Sequence, residues 1–262
     1  MQKVTSKDGT QIAYDQQGQG PAVILVDGAL CFRSFGPMAG LAKLLESDFT
    51  VYTYDRRGRG DSSDTRPYAV EREVEDIEAL IKAAGNSAYF FGLSSGACLV
   101  LEAAIRLGDK VKKLALYEAP YRSDGDALRE WKDYRKQLAE LLAAGRRGDA
   151  TALFMQFVGT PSDQINGMRQ APVWAIFESV APTLAYDADD IGEDRTVPTQ
   201  LAARVTVPTL AMNGSASFPF MYDSAKAIAN AVPNGQLCTL EGQRHDVSVE
   251  VLAPVLVDFF KG

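Results

Sequence analysis

The chain has 262 residues, 46% hydrophobic and 23% charged, the balance of a soluble globular protein rather than a disordered or fibrous one. Its formal net charge of −7 would repel a polyanion, which sets nucleic acid and anionic membrane surfaces aside as partners. Three widely spaced cysteines and a single histidine exclude a disulfide framework and an ordinary zinc site, so neither metal nor cofactor is expected.

The N-terminal MQKVTSKDGTQIAYD reads as two short strands joined at Asp8-Gly9. It lacks the charged-then-apolar order of a signal sequence. PAVILV (21–26) is a continuous β-branched run, as in a strand buried on both faces. A helical stretch follows over about 37–47, then a second buried strand, FTVYTYD (49–55). In VEREVEDIEALIKAA (70–84), Val70, Val74, Ile77, Leu80 and Ile81 share one helix face, and Gly85-Asn86 stops the helix. SAYFFG (87–92) is a third strand, GACLVLEAAIRLG (96–108) the next helix, and VKKLALYE (111–118) a fourth strand. Strands alternating with helices imply parallel pairing in a sheet covered on both faces.

The alternation then stops. Residues 120–204 read as helical or irregular, and strands resume with VPTLAMNG (207–214) and GQLCTLEG (235–242), separated by a helix near 222–232 and followed by one from about 248. This predicts an α/β core over 1–119 and 205–262, interrupted by a helical cap over 120–204. Such insertions lie over the C-terminal edge of the sheet, where open α/β sheets keep their ligand sites. No apolar run approaches the roughly 18 residues that span a bilayer. The protein is therefore expected in the cytoplasm, a reducing compartment that suits its cysteine usage, with a small-molecule substrate as its partner. Oligomeric state is not legible.

The pattern Gly92-Leu93-Ser94-Ser95-Gly96 lies between YFFG and GACLVL, at a strand-to-helix junction. That context is what a nucleophile elbow requires. Small residues must flank so tight a turn, and the helix N-terminus turns free N–H groups toward the serine oxygen. A serine hydroxyl needs a base, and the single histidine, His245, follows the last predicted strand on the same sheet edge. Nucleophile first and histidine last is the order of the α/β-hydrolases.

The chain resembles an α/β-hydrolase with a helical cap over almost its whole length. The likeness is carried by VILVDGAL (23–30), YDRRGRGDS (54–62), GLSSG (92–96), LYEAP (116–120), PTLAMNG (208–214) and EGQRH (241–245). It implies a mostly parallel sheet, helices on both faces, and a cap inserted after the strand ending at Glu118. Much of the family carries its acid after the penultimate strand as G-x-x-D; here the stretch reads Gly214-Ser215-Ala216-Ser217. Ser217 can hydrogen-bond the imidazole, but a neutral hydroxyl does not stabilise imidazolium as a carboxylate does. Asp223 is a weaker candidate, expected to begin a helix as a cap. Asp246, adjacent to His245, is poorly placed to orient its ring.

Glu118 is the better candidate. It ends the strand after the nucleophile strand, 24 residues past Ser94, where some haloalkane dehalogenases of similar fold keep their acid. The resemblance also implies an oxyanion hole, from the backbone N–H of Ser95 and that of Ala29 in Asp27-Gly28-Ala29, where relatives often show His-Gly. Asp27 is unusual there, because a carboxylate opposes a developing oxyanion; its side chain is expected to turn away onto loop amides. DRRGRGDS (55–62) reads as a structural loop, with Asp55 and Arg56 fixing the turn. Cys31, Trp174, Phe177 and, from the core side, Phe218 or Phe220 are the candidate pocket residues, and Cys98 is core.

The expected function is a serine hydrolase acting through an acyl-enzyme on a small, mostly apolar ester, lactone or thioester. Ser94 is the nucleophile, His245 the base and Glu118 the acid. C–C hydrolysis, perhydrolysis and lyase chemistry stay open within the same fold, as does a weakly active binding protein.

Overall fold

The computed structural model describes all residues from Met1 to Gly262. Gln2–Thr5 (β1) and Gln11–Gln17 (β2) form the N-terminal hairpin. Its turn is built on Gly9, with φ of 89°, and on Asp8, which accepts the Thr10 N–H at 3.0 Å. Ala22–Val26 (β3), Thr50–Tyr54 (β4), Ala88–Leu93 (β5) and Val111–Tyr117 (β6) are the four apolar runs of the first half. Thr209–Gly214 (β7) and Gly235–Leu240 (β8) complete an eight-stranded sheet in the order β1-β2-β4-β3-β5-β6-β7-β8. The two pairings that involve β2 are antiparallel and every other pairing is parallel.

Helices cover both faces, which is why the central strands are apolar throughout rather than alternating. Val70–Ala83 (α2) and Ser95–Leu107 (α3) pack on one face around Ile77, Leu80, Phe90 and Leu99. Met38–Leu45 (α1) packs on the other around Leu25, Leu41 and Phe91. Each fully buried Leu, Ile or Phe in these layers contributes about 1.5–3 kcal/mol. No helix is long and apolar enough to cross a membrane.

Between β6 and β7 the chain leaves the sheet for six helices: Ala127–Ala143 (α4), Arg147–Phe157 (α5), Ser162–Arg169 (α6), Val173–Val180 (α7), Leu184–Ile191 (α8) and the short Thr199–Ala202 (α9). They bury a core of their own, with Trp131, Leu138, Ile165, Trp174 and Val180 at its centre. Pro219–Ala231 (α10) and Val249–Lys261 (α11) then close the α/β layers on either face.

The DRRGRGDS loop does more than hold a turn. Asp55 does fix it, accepting the N–H groups of Arg33 (2.7 Å) and Asp61 (2.8 Å). Arg56, expected to act within the loop, reaches out of it instead. It meets Glu73 of α2 together with Asp187 and Asp190 of α8, so core and cap share one buried ion network. Arg59 adds a two-pronged contact to Asp187, at 2.7 and 2.8 Å.

Candidate active site

Ser94 stands between β5 and α3 with φ of 57° and ψ of −126°. A non-glycine residue in this region stores about 1–3 kcal/mol of strain and persists only where its surroundings enforce it. They do. A Cβ at Gly92 would lie 2.5 Å from the Gly96 carbonyl oxygen, and one at Gly96 would lie 2.5 Å from that of Val26. The Ser94 N–H is also taken by the Tyr117 carbonyl at 2.9 Å, which ties the turn to the next strand.

Glu118 follows β6 directly, again in a left-handed conformation (φ 49°), and is wholly buried. Its carboxyl group receives three partners. The Gly214 N–H donates to Oε1 at 2.9 Å, the Ser217 hydroxyl to Oε2 at 2.9 Å, and His245 Nδ1 lies 2.7 Å from Oε2. A carboxylate only accepts, so Nδ1 is the donor in this pair, which makes Nε2 the unprotonated nitrogen of the neutral imidazole. The loop bearing the ring is pinned by the Tyr117 hydroxyl, which donates to the Arg244 carbonyl at 2.6 Å. Ser217, read in the sequence as a direct partner of the imidazole, binds the carboxylate that holds the imidazole. Asp223 lies inside α10 rather than at its cap, and Asp246 is exposed.

Ala29 and Ser95 border the same cavity as Ser94, and no protein acceptor takes either N–H. Arg59 braces the Ala29 loop by donating to the carbonyls of Gly28 (2.6 Å) and Cys31 (3.1 Å). The Ser95 hydroxyl donates to Asp187 at 2.7 Å, so both sides of this pair of amides are tied to the buried ion network. Asp27 is buried beside them, and its carboxylate accepts the Gly28 N–H at 3.1 Å. Burial pushes its carboxyl up to about 7, against the pull of that amide and of Arg59. Burial and the neighbouring Asp27 together push the Cys31 thiol well above its ordinary value.

Ser94, His245, Cys31 and Phe218 all line one cavity of about 1010 Å³. Trp174 and Phe177 are not on its wall. The Trp174 indole is turned into the cap, where Nε1 donates to Glu178 at 3.2 Å and Arg169 stacks on the ring. Phe177 packs edge-on against Phe35, centroids 5.5 Å apart. Besides Phe218, the aromatic wall consists of Trp131 and Tyr134 from α4, Phe154 and Phe157 from α5, and Phe220 from α10. The spacing of three residues in Trp131/Tyr134 and in Phe154/Phe157 signals a shared helix face. Periodicity does not say whether such a face meets another helix or a cavity. No group of three or more His, Cys, Asp or Glu side chains gathers as a metal site requires.

Residues 23–249 match the model of the alpha/beta hydrolase family. The chain belongs to that family. It is 49% identical to an alpha/beta hydrolase from Sphaerobacter thermophilus DSM 20745 whose crystal structure superimposes with a TM-score of 0.90, covering 99% of this chain and 100% of that one. It is 34% identical over 114 residues to the uncharacterized hydrolase YraK of Bacillus subtilis (strain 168), a match spanning 42% of this chain and 41% of that relative. A fungal relative, the proline iminopeptidase PfmaB of Pestalotiopsis fici, is 23% identical, with 93% of this chain and 92% of that one covered. This alpha/beta hydrolase is an enzyme of the hydrolase type.

Proposed function

We propose that the protein is a serine hydrolase that cleaves a small, mostly apolar ester, lactone or thioester through an acyl-enzyme. The observation that carries this reading is the 2.7 Å contact of a buried Glu118 with Nδ1 of His245, whose ring lines the cavity that also holds the strained Ser94. His245 Nε2 takes the Ser94 hydroxyl proton as Oγ bonds to the acyl carbon, and Glu118 stabilises the imidazolium that results. The oxyanion is met by the N–H groups of Ala29 and Ser95. The tetrahedral adduct collapses, the bond to the leaving group breaks, and His245 returns the proton to it. A water then loses a proton to His245, its oxygen attacks the acyl carbon, and the acid is released with Ser94 restored.

A serine at this position forms an acyl ester. The alkyl-enzyme ester of dehalogenase or epoxide-hydrolase chemistry requires a carboxylate nucleophile instead. Glu118 answers the absent acid at Ser217, the feature that most favoured a binding protein of poor turnover.

A fluorophosphonate probe tests the proposal. We expect stoichiometric labelling of the folded protein, abolished in Ser94→Ala, with ester turnover falling by on the order of 10⁴-fold or more in that variant. Folded protein that takes up no label would sink the hydrolase reading.

A further inference from the structure

Four arginines are buried in this protein: Arg56, Arg57, Arg59 and Arg195. The first three are matched by carboxylates, Arg56 by Glu73, Asp187 and Asp190, Arg57 by Asp76 and Asp8, and Arg59 by Asp187. Arg195, only 6% exposed, has no such partner. Its side chain makes one hydrogen bond within the protein, from Nε to the Pro120 carbonyl at 2.8 Å. The two terminal nitrogens have no protein acceptor, and the residue lines the cavity.

The guanidinium is held in place from several sides. Its carbon sits 5.0 Å from the ring centroid of Phe157 and 5.4 Å from those of Trp131 and Phe220, all three on the cavity wall. Its backbone is left-handed, with φ of 58°, and its carbonyl accepts the Arg122 N–H at 2.7 Å. Five carboxylates line the cavity, and none pairs with Arg195. Asp124 and Glu130, well exposed, are engaged by Arg122 at 2.8 and 2.9 Å, Asp187 by Arg56 and Arg59, Asp27 accepts the Gly28 N–H, and Asp246 is exposed. Aromatic faces offset part of the cost of burying a cation, but an unpaired buried charge remains unfavourable. Burial, and then the nearby Arg122 charge, lower the Arg195 side chain to about 10, against smaller opposing pulls that include Glu130 and Asp124.

We infer that Arg195 is the recognition point for a carboxylate on the substrate, so that this hydrolase acts on carboxylate-bearing esters or lactones. With Nε committed to Pro120, the two terminal N–H groups present a planar fork that matches the two oxygens of one carboxylate. One uncompensated charge suits a monoanion, and the aromatic wall suits an apolar spacer between that anion and the reacting carbonyl. Pro120 lies two residues beyond Glu118, so the anion site and the proposed acid share one segment of backbone. This inference rests on the serine-hydrolase reading for the reaction, though not for the binding.

Monomethyl alkanedioates from succinate to suberate, each paired with the methyl alkanoate of equal chain length, test it. For the best-fitting length, kcat/KM should favour the ionised ester by about 10- to 100-fold. In Arg195→Met that ratio should fall to about one or below, with Arg195→Lys in between because it keeps the charge and loses the fork. Equal kcat/KM for the two esters in the wild type, or a preference that survives in Arg195→Met, would overturn the inference. Binding is read separately in Ser94→Ala, where the fluorescence of Trp131 and Trp174 should respond to the monoester and lose that response when Arg195→Met is added. If Ser94→Ala binds in this Arg195-dependent way but the wild type takes no fluorophosphonate label, the carboxylate site stands and the hydrolase reading fails. If labelling succeeds while neither measurement depends on Arg195, the carboxylate inference fails alone.

Discussion

Glu118 holds two donors besides His245, and they are not equivalent in what their loss would do. Replacing Ser217 with Ala removes one hydrogen bond to Oε2 and leaves the Gly214 amide and the imidazole in place. Loss of one hydrogen bond to a charged acceptor, about 1.5–3 kcal/mol, sets an upper bound near 10²-fold on kcat. Glu118→Gln keeps the shape, removes the charge that would stabilise imidazolium, and offers Nδ1 an amide that can impose the wrong tautomer. We expect it to lower kcat by on the order of 10⁴-fold. Steady-state kinetics on one ester compares the two variants; the opposite ranking would move the acid role away from Glu118. Ser94 and His245 were legible as candidates because a local pattern marks the first and the second is the sole histidine. The part played by Ser217 was not, since G-x-x-S reads in one dimension as a lost acid. In three dimensions the hydroxyl supports a carboxylate on the neighbouring strand.

The elements were legible where periodicity and small residues carry the information. The strand and helix alternation of the core, the helical stretch between β6 and β7, and the tight β5–α3 junction all follow from apolar runs, helical faces and paired glycines. Gly96 makes the last point testable. A Cβ there would sit 2.5 and 2.6 Å from the backbone oxygens of Val26 and Asp27, which belong to the central strand β3 and its loop and have no room to retreat. Gly96→Ala should therefore cost about 1–3 kcal/mol in urea unfolding and disturb Ser94, although alanine is the better helix former. A stability equal to or above wild type would show that the junction yields. The assignment of Trp174 and Phe177 to the pocket failed for the complementary reason. Helical spacing marks the residues that leave water, but cap core and cavity wall are equally dry, so only tertiary packing separates Trp174 from Trp131.

At the scale of the whole molecule, the cap is joined to the core by charge as well as by apolar packing. Asp187 accepts from Arg56, Arg59 and Ser95, and Arg59 in turn braces the Gly28 carbonyl beside Ala29. No sequence pattern shows this link, because its members come from α2, α3, α8 and two loops of the core. Asp187→Asn would leave Arg59 buried without its carboxylate, a loss of about 3–5 kcal/mol. Asp189, on the same helix, pairs with Arg135 at the surface, so Asp189→Asn should cost less than about 1 kcal/mol. Burial raises the Asp187 carboxyl, but Arg59 and Arg56 outweigh it and hold the group below the ordinary aspartate value. A depressed folded-state value stabilises above the unfolded one and is lost as pH falls through it. The gap between wild type and Asp187→Asn in urea midpoint should thus be constant above about pH 4 and close below it. Turnover should fall in the same variant, because the loop that offers the Ala29 amide loses its brace. Equal losses from Asp187→Asn and Asp189→Asn, or a gap that widens in acid, would show that the cap is held by its apolar contacts alone.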